Sequence, residues 1–135
     1  MKKVEHLGIA VRNLNEASVL YARLFNTLPY KEETVDTELV RTLFFQIGDA
    51  KIELLEALNP ESPIARFIDK RGEGLHHVAF EVDDINHEMS RLKAEGFRLL
   101  SEEPKPGADN KLVAFIHPKS AGGLLIEICQ EIRKP

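Results

Sequence analysis

The chain has 135 residues, 43% of them apolar and 30% charged, a balance that fits one globular domain and excludes a disordered chain. A net charge of −4 argues against a general nucleic-acid-binding face, and a single cysteine, Cys129, closes no internal disulfide, so a reducing, cytoplasmic setting is expected. The opening "MKKVEHLGIAV" interrupts its apolar run with charge, which predicts neither a signal peptide nor a membrane span.

In chain order, "HLGIAV" (6–11) reads as a strand that ends at the "RNLN" turn. From Glu16 the apolar residues Ala17, Leu20, Tyr21, Leu24 and Phe25 recur at helical spacing, with Asn15 as the expected cap. "LVRTLFFQIGDAKIELLE" places two apolar runs around Gly48-Asp49, the pattern of an antiparallel hairpin. "SPIARFIDK" predicts a short helix with Ser62 as N-cap, Pro63 at the first helical position, and Ile64, Phe67 and Ile68 on one face. The order then restarts. "HHVAFEV" is a strand, and "DDINHEMSRLKAEGF" is a helix capped by Asp83 or Asp84 and ended by Gly96. Its Ile85, Met89, Leu92 and the stem of Lys93 are expected to point inward. "KLVAFIHPKSAGGLLIEIC" gives two further strands around a Pro/Gly turn.

"HLGIAVRNLNEA" and "HVAFEVDDINHE" share one pattern: histidine, alternating small and large apolar residues, a polar turn, a helix start. "AKIELLE" and "GLLIEIC" match likewise as strands with a central glutamate. His6 and His77 are 71 residues apart, and Glu53 and Glu127 are 74 apart. This is a diverged tandem repeat inside one domain, with a module at 1–58, a linker at 59–74 and a module at 75–135.

Alternation assigns the faces. His6 shares a side with Gly8 and Ala10, while Leu7, Ile9 and Val11 take the other; His77 repeats this with Ala79, and His76 falls on the bulky side. Glu53 opposes Ile52 and Leu54, and Glu127 opposes Ile126 and Ile128. A carboxylate among aliphatic strand residues is costly to bury without a partner. If corresponding strands of both repeats face one cavity, His6, Glu53, His77 and Glu127 form a two-histidine, two-glutamate set suited to a divalent metal with open positions. The plainer reading makes each histidine a strand-edge residue and each glutamate solvent-facing.

The segments "HLGIAV", "GDAKIELLE", "SPIARFIDKRGEGLHHVAFEVDDI" and "EEPKPGADNKLVAFIHPKSAGGLLIEIC" together resemble the vicinal oxygen chelate superfamily. Within it, the long middle run and "FIHPKSAGGLLIE" resemble the methylmalonyl-CoA epimerases. The resemblance implies an α+β fold of two tandem βαβββ modules, forming a cupped, partly closed mixed sheet around one divalent metal. It also implies a homodimer. The family's ligand positions fall on His6, His77 and Glu127, and a further position, glutamine in some members, is Glu53 here. Cobalt is the expected ion, with Mn, Ni or Zn also suited to these ligands. Methylmalonyl-CoA is the implied substrate, with no nucleic-acid or membrane partner.

Epimerisation through an enolate needs one group on each face of the plane, and Glu127 and Glu53 have the symmetry for it. Some epimerases carry a glutamate two positions after a turn glycine; here those positions hold Arg41 and Leu39. Arg41 is a poor base and is read as either a contact for the substrate carboxylate or a solvent-facing residue. His117 is a candidate for the acyl pocket or a turn cap, and Lys105 and Lys111 are candidate substrate contacts beside the reading of a solvated charge scatter. "PKPGADNK" is no P-loop. The rival activities are a lactoylglutathione lyase, which shares the ligand set, and a metal-free small-molecule binding module.

Overall fold

A computed structural model describes residues 1–132. The elements run β1 (Lys3–Ala10), α1 (Leu14–Phe25), β2 (Lys31–Val35), β3 (Val40–Ile47), β4 (Ala50–Ala57), α2 (Pro63–Arg71), β5 (Gly74–Glu81), α3 (Ile85–Ala94), β6 (Lys105–Gly107), β7 (Lys111–Ile116), a 3₁₀ turn (Pro118–Ala121) and β8 (Ile126–Glu131). The class is α+β, with eight strands in one mixed sheet of order β2-β3-β4-β1-β5-β8-β7-β6. Two compact units divide the chain: residues 6–76, and residues 77 onward joined by residues 1–5.

In the first unit β1 lies parallel to β4, and β4, β3 and β2 follow as antiparallel neighbours. Gly48 takes φ +58° in the two-residue connection of the β3–β4 hairpin, a conformation cheap only for glycine. Helix α1 covers one face of this sheet. Val11, Leu14, Ala17, Leu43, Phe45 and Leu54 are buried between them, with Ile9, Tyr21, Phe25 and Ile52 packed alongside. Phe25 meets Phe45 edge-on at 5.4 Å and Tyr21 at 5.5 Å. The cap of α1 is Asn13 rather than Asn15: its side chain accepts the Glu16 N–H at 2.9 Å. Leu14 is one i−3 step before Ala17 and belongs to the same buried stripe, so the helix starts two residues earlier than predicted. Leu20 and Leu24, expected on that stripe, are 58% and 68% exposed, because Leu14, Ala17, Tyr21, Ala22 and Phe25 form the side that faces the sheet.

The expected Ser62 cap and Pro63 start of α2 are present, with Ser62 Oγ accepting the Ile64 N–H at 3.2 Å. In the second unit β5 is parallel to β8, and β8, β7 and β6 are antiparallel. Lys2, ahead of β1, donates its N–H to the Glu81 carbonyl at 2.9 Å and pairs its ammonium with Asp83 at 3.0 Å. Ile85, Met89 and Leu92 of α3 pack on Ala114, Ile116 and Ile128. Asp84 caps α3 through the His87 N–H at 3.1 Å, whereas Lys93 is exposed, contrary to its expected inward stem. The helix closes at Glu95, and Gly96 follows at φ +92°.

Two strands escaped the sequence reading. β2 holds three charged residues in five and stands at a sheet edge, and β6 is three residues long with a central proline. Both are defined by pairing with a neighbour rather than by an apolar pattern.

Candidate functional site

Each unit carries a buried histidine–glutamate pair. In the first, Gly8 stands beside Glu53 in the β1–β4 register, and without a side chain it leaves room for the carboxylate. His6, one same-face step earlier on β1, brings Nε2 to 3.4 Å from Glu53 Oε1. In the second, Ala79 stands beside Glu127, and His77, again one same-face step earlier, brings Nε2 to 3.4 Å from Glu127 Oε1. The relative exposures are 6% and 4% for the first pair and 3% and 5% for the second. Phe44 is the antiparallel neighbour of Glu53, and Phe115 that of Glu127. The Phe115 ring stands edge-on to His77 at 6.1 Å.

The chemistry of these donors fits a divalent ion. A separation of 3.4 Å is longer than the usual N–H···O hydrogen bond. It equals the spacing, about 3.4 Å, of two donor atoms that share one ion at about 2.1 Å in tetrahedral geometry. Two neutral imidazoles and two carboxylates also balance a charge of +2. His6, His77 and Glu127 are each buried and each offers one ligand atom of the required kind.

The remaining predicted residues fall in different places. His76 points away from the His77 side and meets Phe67 of α2 edge-on at 4.9 Å, as alternation requires. Arg41 shares the helix-covered face of β3 with Leu43 and Phe45, so it does not share a face with Glu53. Its Nη2 donates to Asn15 Oδ1 at 3.1 Å, and its Nε, buried without a hydrogen bond, lies 3.7 Å from Glu56 Oε1. Leu39, where family members often have glycine, takes φ +56°, so the turn keeps a glycine-like backbone under a leucine side chain. His117 caps the 3₁₀ turn, with Nδ1 accepting the Lys119 N–H at 3.1 Å. Lys105 is exposed on β6. Lys111 is buried at the start of β7, on the face that holds Val113 and Phe115.

Sequence reasoning missed a clamp that recurs in both units. Glu56 Oε2 accepts the N–H of Leu14, the first residue of α1, at 2.8 Å. Gln130 Oε1 accepts the N–H of Ile85, the first residue of α3, at 2.8 Å. Both acceptors sit three residues after a pair glutamate, a spacing visible in the aligned repeats. Cys129, behind Glu127, is an inert thiol: burial first, and the Glu127 charge second, push its pKa far up.

The comparisons with known proteins agree with this architecture. Residues 5–115 match the family model of the Glyoxalase/Bleomycin resistance protein/Dioxygenase superfamily, and the chain belongs to that superfamily. Within it, the chain is similar to methylmalonyl-CoA epimerases. It is 39% identical to the mitochondrial methylmalonyl-CoA epimerase of Homo sapiens, over 95% of this chain and 73% of that protein. It is 38% identical to the ethylmalonyl-CoA/methylmalonyl-CoA epimerase of Cereibacter sphaeroides, over 95% of this chain and 97% of that one. The crystal structure of the Mycobacterium tuberculosis methylmalonyl-CoA epimerase superposes with a TM-score of 0.93 at 36% identity, covering 96% of this chain and 88% of that chain. These relatives favour the epimerase over the lactoylglutathione lyase.

Proposed function

We propose that the protein interconverts the R and S forms of methylmalonyl-CoA at one divalent metal ion held by His6, Glu53, His77 and Glu127. The observation that carries the metal centre is the repetition of one buried histidine–glutamate pair, with the same 3.4 Å separation, at equivalent strand positions of both units. Duplication supplies two copies of the pair; a shared ion gives a reason for both copies to keep it buried after the surrounding residues have diverged. Cobalt is the ion proposed first, with Mn, Ni or Zn as substitutes these donors accept.

A divalent ion held by these residues would supply Lewis-acid stabilisation of the negative charge that proton loss puts on the thioester oxygen. The chain supplies the rest. Glu127 takes the α-proton from one face of the substrate carbon, and Glu53 returns a proton from the other. The equivalent positions of the two carboxylates in the two repeats support this two-base reading. Phe44 and Phe115 are the cross-strand neighbours of the two carboxylates. Arg41, turned to the helix side, takes no part in proton transfer.

A homodimer in the cytoplasm belongs to the same proposal. The exposed apolar side chains of Leu20, Leu24 and Leu28 support association, and among the described residues no helix is long and apolar enough to cross a membrane.

The test is metal analysis of gently purified protein combined with turnover. One divalent ion per chain, with epimerisation of methylmalonyl-CoA and no isomerisation of the glutathione hemithioacetal, is the expected result. Hemithioacetal turnover would reassign the protein as a lyase, and a metal-free protein that only binds ligand would make it a binding module.

A further inference from the structure

The two units use the same framework, so a position where they differ in chemistry reports something the fold does not need. Val40 and Lys111 are such a pair. Each is the first residue of the strand that carries the phenylalanine beside the pair glutamate, four residues before Phe44 and Phe115 respectively. Val40 is 3% exposed and Lys111 is 6% exposed. The fold therefore packs this place with a branched aliphatic residue in one unit and with a charged one in the other. Burying an ammonium is unfavourable where a valine serves.

Lys111 also lies on the site's side of the sheet. In the β7–β8 register, Lys111, Val113 and Phe115 face with Glu131, Cys129 and Glu127, while Leu112, Ala114 and Ile116 face α3. Four strand steps, about 13 Å of backbone, lead from Lys111 to Phe115. The Lys111 side chain rises from the face that carries Cys129 and Glu127, directly across from Glu131.

We infer that Lys111 is a specificity-determining residue whose ammonium receives an anionic group of the substrate, the free carboxylate of a malonyl-type thioester. This rests on the epimerase reading. The phosphates of coenzyme A are the other anionic source, but they are bulky and heavily hydrated, and a lysine with only 6% of its surface exposed suits a small acyl group.

The experiment uses the metal-loaded protein and calorimetric binding of three ligands: methylmalonyl-CoA, propionyl-CoA, which keeps the phosphates but lacks the carboxylate, and methylmalonyl-pantetheine, which does the reverse. Any contribution of the ion to carboxylate binding is common to wild type and variants. Lys111→Met should reduce the preference for methylmalonyl-CoA over propionyl-CoA by about tenfold or more, the scale of a lost charge-assisted hydrogen bond. Affinity for propionyl-CoA and metal content should not change, and methylmalonyl-pantetheine should weaken in parallel with methylmalonyl-CoA. Lys111→Val, the residue the first unit packs at this place, guards against a folding failure of the methionine variant. An unchanged preference overturns the assignment, as does an equal loss for both CoA thioesters, which would point to the phosphates. Epimerisation by the wild type is measured alongside. Turnover with an unchanged preference in the variants removes only the role of Lys111, whereas absent turnover removes the epimerase reading beneath it.

Discussion

Residues 6–76 and residues 77–132 solve one structural problem twice, and the comparison separates framework from chemistry. The framework is constant: a pair glutamate with a phenylalanine beside it, a histidine one same-face step before its small neighbour, and a side-chain clamp on the first N–H of the helix. The differences lie around it. Thr42, Val40 and Leu55 in the first unit stand where Val113, Lys111 and Cys129 stand in the second. The clamp is a glutamate beside Arg41 in the first and a glutamine in the second. Duplication thus explains the paired histidine and glutamate positions, and divergence explains the different residues around them.

The largest effect should come from removing a pair histidine. His77→Ala is expected to lose bound metal and about 10²–10³-fold in turnover, the scale of a lost stabilising group. His76→Ala keeps both and loses only its edge contact with Phe67. Metal content and turnover of the two variants check this, and equal retention would show that the face assignment is wrong.

Next come the cores. Phe45→Ala in the first unit should cost about 3–5 kcal/mol, and Ile128→Ala in the second about 2–5 kcal/mol, since both side chains are fully buried. Denaturant unfolding measures each. A cost below about 1 kcal/mol for either would mean that its unit is held by something other than the helix–sheet core.

The clamps sharpen the comparison. Glu56→Ala and Gln130→Ala should each cost about 1 kcal/mol, as other helix-cap losses do. Glu56→Gln makes the first clamp like the second and should cost only a few tenths, because the pairing with Arg41 is partly solvent-exposed. A larger loss would give the Arg41–Glu56 charge pair a role that the second unit lacks.

Smallest is Leu39→Gly. The left-handed conformation at φ +56° strains a leucine and not a glycine, so the change should be neutral to stabilising by up to about 1 kcal/mol, read as a rise in the unfolding midpoint.

Much of this was legible before the structure. Period-two alternation put His6 and His77 on the small-residue faces, set Glu53 and Glu127 opposite their aliphatic neighbours and sent His76 the other way, because burial of one sheet face against a helix fixes register. The Ser62-Pro63 start of α2 was legible for a local reason, a cap followed by a preset φ. What was hidden depends on partners distant in the chain. β2 is a strand only because β3 pairs with it, and Leu20 and Leu24 are exposed because Leu14, Ala17, Tyr21 and Phe25 take the sheet-facing side of α1. Arg41 looked available to a substrate until the β3–β4 register turned it toward Glu56.

The central claim is that a glutamate from each unit serves one face of the substrate carbon, and deuterium exchange tests it most directly. Metal-loaded Glu53→Gln and Glu127→Gln proteins, which keep an oxygen donor without a basic carboxylate, are incubated in deuterated water with each epimer separately. The account predicts retained metal, abolished epimerisation, and deuterium uptake into one epimer only, with the exchanging epimer opposite in the two variants. Normal epimerisation and exchange by Glu53→Gln would contradict it, reducing Glu53 to a ligand and placing the second base elsewhere.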